Sequence, residues 1–376
     1  MKIRSDWPRV AALHAFLLLA CLTCLPPAHA SESAAHAARR LRATTQPAGV
    51  AQGEFADFSQ WKEVDEFIDR MVAQHGFERS ELDKVFRQAR HVDSAKQLIK
   101  PAPAGKPKNW RAYRARFVDP LRINAGVQFW DDNADAIARA EAQFGVPAEI
   151  IVAIIGVETV YGRNTGNFRV MDAITTLAFD YPDTPTRNAR MEFFRGELEH
   201  TLLFARESGI DPFSLLGSYA GAIGLPQFMP GSIRQFAVDF NGDNKIDLRN
   251  SPADAIGSVA NFLSKHGWHP GEPMVFPAHV SAADSSGAHA WDALIGQGLE
   301  AKFSMGDLTA AGVTPETPLP DGMLFGLIDL QNGTDAPEYW LGTNNFFAIT
   351  QYNRSFFYAM SVIDLGRAIR TSRSAR

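Results

Sequence analysis

The chain has 376 residues, of which 45 % are hydrophobic and 21 % charged. This ordinary globular balance excludes wholesale disorder and a fibrous repeat. Against 42 Asp and Glu stand 37 Lys and Arg, a net charge of −5, so no basic excess points to nucleic acid as a partner. Cys21 and Cys24 are the only cysteines, which leaves no disulfide framework or cysteine zinc site for the body of the chain.

The first segment reads as an export signal over residues 1–30. Lys2, Arg4 and Arg9 open it, residues 10–25 are apolar apart from His14 and Thr23, and Pro26-Pro27-Ala28-His29-Ala30 ends on spaced small residues. The apolar run is short for a membrane span. Leu18-Leu19-Ala20-Cys21 also resembles a bacterial lipobox, although Leu19 is not the usual small residue. Cutting there would leave Cys21 as an outer-membrane lipid anchor. Either cut delivers the chain to the periplasm, and the fold is expected to need no disulfide.

Residues 31–56 are rich in Ala, Arg, Thr, Gln and Gly and read as a flexible tether. Helical spacing begins with Phe58, Trp61, Val64, Phe67, Ile68 and Met71. A second short helix is expected over 79–89, before a Pro-rich connector at 100–107. Further helices are expected over 133–144, 186–208, 251–266 and 355–369. Between 270 and 345 the pattern breaks into short Gly-, Pro- and Asp-bounded segments, where the few strands belong. No internal repeat is seen. The fold class is mainly α (α+β). The expected division is a helical part over 57–117, a core over 118–268 and 343–369, a small mixed insert over 270–342, and a tail over 370–376.

Pro147, Ala148 and Glu149 open a helix, with the proline expected at its first position. Residues 150–157 are apolar on every face, so this helix belongs at the centre. Glu158 follows directly. Desolvation and the negative helix end both disfavour its charge and raise its pKa. A carboxyl protonated near neutral pH can serve as a general acid. Otherwise Glu158 pairs with a neighbour such as Arg163, or emerges into solvent.

Gly156-Val157-Glu158-Thr159-Val160-Tyr161-Gly162 resembles the GVETxxG motif of the lytic murein transglycosylase B family. The stretches 172–178, 217–230, 255–261 and 349–355 are similar to that family's other blocks and follow in its order. The resemblance implies a lysozyme-like helical core and cleavage of the β-1,4 bond between N-acetylmuramic acid and N-acetylglucosamine. Peptidoglycan glycan strands are the implied partner, with no organic cofactor. It also implies that Glu158 acts alone, where glycosidases usually need two carboxylates. Glu158 protonates the glycosidic oxygen, the substrate's acetamido group steadies the developing charge, and the muramic 6-hydroxyl closes a 1,6-anhydro ring.

By the same resemblance Ser218, Gln227 and Asn353 bind the sugar and acetamido groups, and Tyr113 faces the sugar. Tyr352, Tyr358, Phe228 and Met229 offer apolar faces. Plain core packing is the alternative for Phe228 and Met229, and a turn or helix cap for Ser218 and Gln227. Phe262 stands where the family often has tyrosine, so no hydroxyl contact is available there.

Asp239, Asn241, Asp243, Lys245 and Asp247 alternate as in a calcium loop, with Lys245 contributing its carbonyl. Asn244 replaces the usual glycine, and Asn250 stands where an EF-hand has glutamate. The family's longer loop ends in an aspartate, here Asp254. A structural calcium is expected on Asp239, Asn241, Asp243, Lys245 and Asp254; the alternative is a surface turn that binds nothing. A hydrolytic muramidase with the same acid remains a rival function, as does a non-catalytic calcium-dependent glycan-binding wall protein. The ten histidines show no H-E-x-x-H spacing, which leaves a zinc peptidase unsupported.

Overall fold

A computed structural model describes residues 58–101, 105, 107–282 and 289–376. The expected signal over 1–30, its Cys21, and the tether over 31–56 lie outside the described residues.

The apolar run becomes the central helix α7 (Ala148–Thr159), buried at every position from Ile150 to Val157. Pro147 sits one place earlier than expected, as the N-cap, with extended ψ of 139°. Around α7 pack α5 (Pro120–Asp132), α6 (Ala134–Phe144), α11 (Pro252–Lys265) and the C-terminal α14 (Phe356–Ser374). A helix apolar on all sides is satisfied only by such a ring of neighbours. Helix α14 was expected to stop at 369 but runs on to Ser374. Two ion pairs hold its last turns: Arg370 to Glu149 at 2.8 Å and Arg373 to Asp131 at 2.7 Å.

The N-terminal part comprises α1 (Lys62–His75), α2 (Arg79–Gln88), α3 (Asp93–Leu98) and α4 (Trp110–Arg114). Phe67, Phe86 and Phe179 meet there edge to face, at 5.8 to 6.5 Å. Phe179 ends α8 (Val170–Phe179), which packs against the long α9 (Arg187–Ser208). This N-terminal part therefore shares one hydrophobic core with α7.

The expected strands lie in the insert. There β3 (Val275–Val280), β4 (Val313–Pro315), β5 (Gly326–Asn332) and β6 (Asp335–Gly342) form an antiparallel sheet in the order β4-β3-β6-β5. The insert has its own small core, with Trp291, Leu308, Val313, Phe325, Leu327 and Leu341 buried together. A two-residue ladder, β1 (Phe168–Arg169) with β2 (Leu216–Gly217), joins two loops near the end of α7. Helices α10 (Pro230–Phe236), α12 (Met305–Ala310) and α13 (Asn344–Tyr352) complete the described α-helices.

Candidate active site

The site forms where α7 ends. Val160, Tyr161 and Gly162 follow the helix with φ of 51°, 58° and 88°, three left-handed residues in a row. Such a conformation costs a non-glycine residue about 1 kcal/mol or more, so the surroundings must impose it. Thr159 does part of this: its hydroxyl donates to the Leu225 carbonyl at 2.9 Å and accepts the Gly162 N–H at 3.0 Å. Tyr161 does the rest. Its ring packs on Phe129 at 5.2 Å, and its hydroxyl occupies a notch where a Cβ on Gly126 or Gly156 would lie 2.4 or 2.3 Å away.

This turn leaves Glu158 at the mouth of the core, only partly exposed. Its partner is not Arg163, which lies exposed, but Tyr358, whose hydroxyl donates to Glu158 Oε1 at 2.6 Å. Burial pushes the Glu158 carboxyl up to about 7, and the Tyr358 hydrogen bond pulls it partly back. Among the described residues no second carboxylate acts on it. Tyr358→Phe removes a bond that favours the charged form, so the pKa should rise further. The alkaline limb of a kcat/KM profile is expected to move up by about one pH unit in that variant. An unmoved limb would remove Tyr358 from the control of the acid.

Tyr358 lies in the first turn of α14, is 2 % exposed, and stacks against Tyr352 at 6.3 Å. The Tyr352 hydroxyl donates to the Pro226 carbonyl at 2.5 Å, tying α13 to the segment 217–230. Phe228, Tyr352 and Phe262 form one aromatic cluster, with Phe228 5.7 Å from Tyr352 and 5.5 Å from Phe262, and Phe262 4.9 Å from Tyr352. With Phe228 at 2 % exposure and Met229 at 9 %, both belong to the core. Little of either face is left for a sugar.

Gln227 has φ of 51° and donates to the carbonyls of Gly224 at 2.9 Å and Thr165 at 3.3 Å. The Ser218 hydroxyl accepts the N–H groups of Ala222 at 3.1 Å and Ala220 at 3.3 Å, the turn geometry weighed above. Tyr113 lies against Phe117 at 5.0 Å and Phe357 at 5.5 Å, close enough to Tyr358 to influence its ionisation. Asn353 is partly exposed and ends α13. Glu158, Tyr358, Tyr352 and Tyr113 thus share one neighbourhood, with the segment bearing Ser218 and Gln227 packed on the loop that leaves the acid.

Sequence reasoning missed Glu197. It lies in the middle of α9, 9 % exposed, and accepts the Gly231 N–H at 2.8 Å just beyond Met229. Burial pushes its carboxyl up to about 7. Its flanking residues, Gly196, Glu199 and His200, give no sign that it turns inward.

The oxygen-rich loop folds around two aspartates. Asp239 accepts the N–H groups of Gly242, Asp243 and Asn244 at 2.7 to 3.1 Å, and Asn244 adopts the expected positive φ of 67°. Asp254 is fully buried and accepts three backbone N–H groups, from Phe240, Asn241 and Asp247. Among the described residues no cationic side chain forms an ion pair with it. Among the described residues no three His, Cys, Asp or Glu side chains converge as a metal cluster. The donor set is nevertheless all oxygen, and a buried carboxylate without a countercharge fits a hard cation.

A helical core presents Glu158, a partly exposed and protonatable carboxyl, at an aromatic-lined mouth, an arrangement suited to a general-acid enzyme. The chain belongs to the transglycosylase SLT domain family, which matches residues 58–367. It is 43 % identical over 326 residues to the membrane-bound lytic murein transglycosylase B of Escherichia coli (strain K12), covering 84 % of this chain and 85 % of that one. The catenated lytic transglycosylase SltB1 of Pseudomonas aeruginosa superimposes with a TM-score of 0.76 at 44 % identity, over 84 % of this chain and all of that one. The Escherichia coli lytic transglycosylase Slt35, solved in complex with calcium, gives 0.74 at 43 % identity, over 85 % of this chain and 96 % of that one.

Proposed function

We infer that this chain is a lytic murein transglycosylase that cleaves the β-1,4 bond between N-acetylmuramic acid and N-acetylglucosamine. The observation that carries this reading is the lone Glu158, raised to about 7 by burial and held by Tyr358. Near neutral pH a large share of this carboxyl is protonated and can donate to the glycosidic oxygen. Once ionised, it takes the proton of the muramic 6-hydroxyl, whose intramolecular attack closes the 1,6-anhydro ring. That attack needs neither a positioned water nor a second carboxylate. Tyr113, Tyr352, Asn353, Ser218 and Gln227 line the glycan groove, and Tyr358, Phe228 and Met229 support it. Mass spectrometry of digested sacculi tests this: anhydro-ended fragments are expected, reducing ends would mark a hydrolytic muramidase, and no release would mark a glycan-binding protein.

The loop of Asp239, Asn241, Asp243, Lys245 and Asp254 would hold a structural calcium. Its role would be to neutralise Asp254 in the first turn of α11. Millimolar calcium is expected to raise Tm by a few degrees, roughly 1–2 kcal/mol for a chain of this size, and a chelator to reverse it. An unchanged Tm would sink the site. The leader supports a periplasmic location, with Cys21 as the lipid anchor if the lipobox is used. The proposed boundaries are a helical part over 57–117, a core over 118–268 and 343–369, and an insert over 270–342. The insert's separate hydrophobic core supports its boundary.

A further inference from the structure

The insert reaches across to the segment that carries Tyr113. At the turn between β5 and β6, Asn332 forms an antiparallel bridge with Asn109, and the Gly333 N–H bonds to the Lys108 carbonyl at 2.8 Å. The Asn332 side chain is 2 % exposed and makes the contact specific. Its Oδ1 accepts the Arg111 N–H at 3.0 Å, while its Nδ2 donates to Glu338 at 3.3 Å and to the Ala336 carbonyl at 3.4 Å. A register shift between Leu330 and Asn332 interrupts the ladder there. Arg111 adds an exposed pair with Asp335 at 3.3 Å.

What this contact grips is the start of α4. Asn109 is the N-cap, accepting the Ala112 N–H at 2.9 Å, and the helix is only five residues long. A helix this short has no independent stability. Trp110 anchors one side against Phe357 at 5.5 Å, and Tyr113 follows within one turn. We propose that Asn332 is a positioning residue: through the clamp on 108–111 the insert fixes Tyr113 over the glycan groove. The proposal rests on the reading that Tyr113 faces the glycan.

The test measures KM and kcat on soluble, uncross-linked glycan strands. Asn332→Ala is expected to raise KM about fivefold, the worth of one lost buried hydrogen bond, with kcat within about twofold. In a Tyr113→Ala background the same change should add less than about twofold, because both act through one contact. A raised KM in Tyr113→Ala with an unchanged KM in Asn332→Ala overturns the proposal alone. Additive effects overturn it as well. An unchanged KM in Tyr113→Ala overturns the groove reading and the proposal with it.

A second variant covers loss of folding in Asn332→Ala. The bond from Gly333 to Lys108 makes Asn109 and Asn332 a non-hydrogen-bonded pair, whose Cα spacing of about 4.5 Å admits a disulfide. In Asn109→Cys/Asn332→Cys, with Cys21 and Cys24 replaced by serine, the oxidised protein should bind as wild type. The reduced protein should show the raised KM. Equal KM in both redox states would overturn the clamp.

Discussion

Replacing Glu158 with glutamine is expected to abolish glycan cleavage while making the folded chain more stable at pH 8. The amide keeps the shape of the carboxyl and can still accept the Tyr358 hydrogen bond, so the site is preserved. It can neither donate the acid proton nor remove the 6-hydroxyl proton, and kcat is expected to fall by about 10³-fold or more. The stability effect follows from the same burial. Glu158 holds its proton up to about pH 7 in the folded state, against an ordinary value of 4.5. Between those values the unfolded chain is ionised and the folded one is not. Stability is therefore full below about pH 4.5 and is lost as pH rises through 7. Glutamine removes that loss, worth about 2 kcal/mol above pH 7 once partial exposure is allowed for. Urea unfolding at pH 5 and pH 8 checks it. The variant should lie closer to wild type at pH 5 and unfold later at pH 8; retained muropeptide release would reject Glu158 as the acid.

Gly166→Ala is expected to destabilise the fold strongly. Gly166 has φ of 81°, and a Cβ there would lie 2.1 Å from the Gly217 carbonyl oxygen and 2.6 Å from the Ser218 nitrogen. Those are backbone atoms and cannot swing aside. The Arg249 guanidinium bonds the carbonyls of both Gly166 and Leu216 at 3.2 Å, which fixes the two segments together. Overpacking and left-handed strain together cost about 3 kcal/mol. The displaced segment also carries Ser218 and Gln227, so glycan affinity should fall too. Denaturant midpoints and KM measure the two effects; a midpoint within experimental error of wild type would show that the loops separate freely.

How much of this was legible in the sequence depended on whether a signal was local. The apolar run 150–157 announced a central helix, and the glutamate at its end announced chemistry, because a buried carboxyl needs a reason. The helices at 133–144, 186–208 and 251–266 carried their own periodicity and flanking signals. Helices α5 and α13 did not stand out. Helix α5 includes Gly126 and Asn124, and α13 begins Asn344-Asn345-Phe346-Phe347, so tertiary packing overrides weak propensity in both. Within the site, Tyr358 was read as an apolar face and not as the partner of Glu158, 200 positions away. Glu197 was invisible because its inward turn depends on Gly231, on another helix. Phe228 and Met229 read equally well as platform or core, and only their burial distinguishes the two.

The pairing of α7 with α14 sets an order of assembly. The acid forms at position 158, yet the hydroxyl that holds it is at 358, on a helix running to Ser374. Synthesis proceeds from the N-terminus. Until the last helix emerges, α7 lacks one wall and Glu158 lacks its partner. Contacts this distant in sequence close late and slowly. A partly synthesised chain therefore lacks the last wall of the core that surrounds Glu158. The wall-cutting activity is thereby withheld until the whole chain has been made.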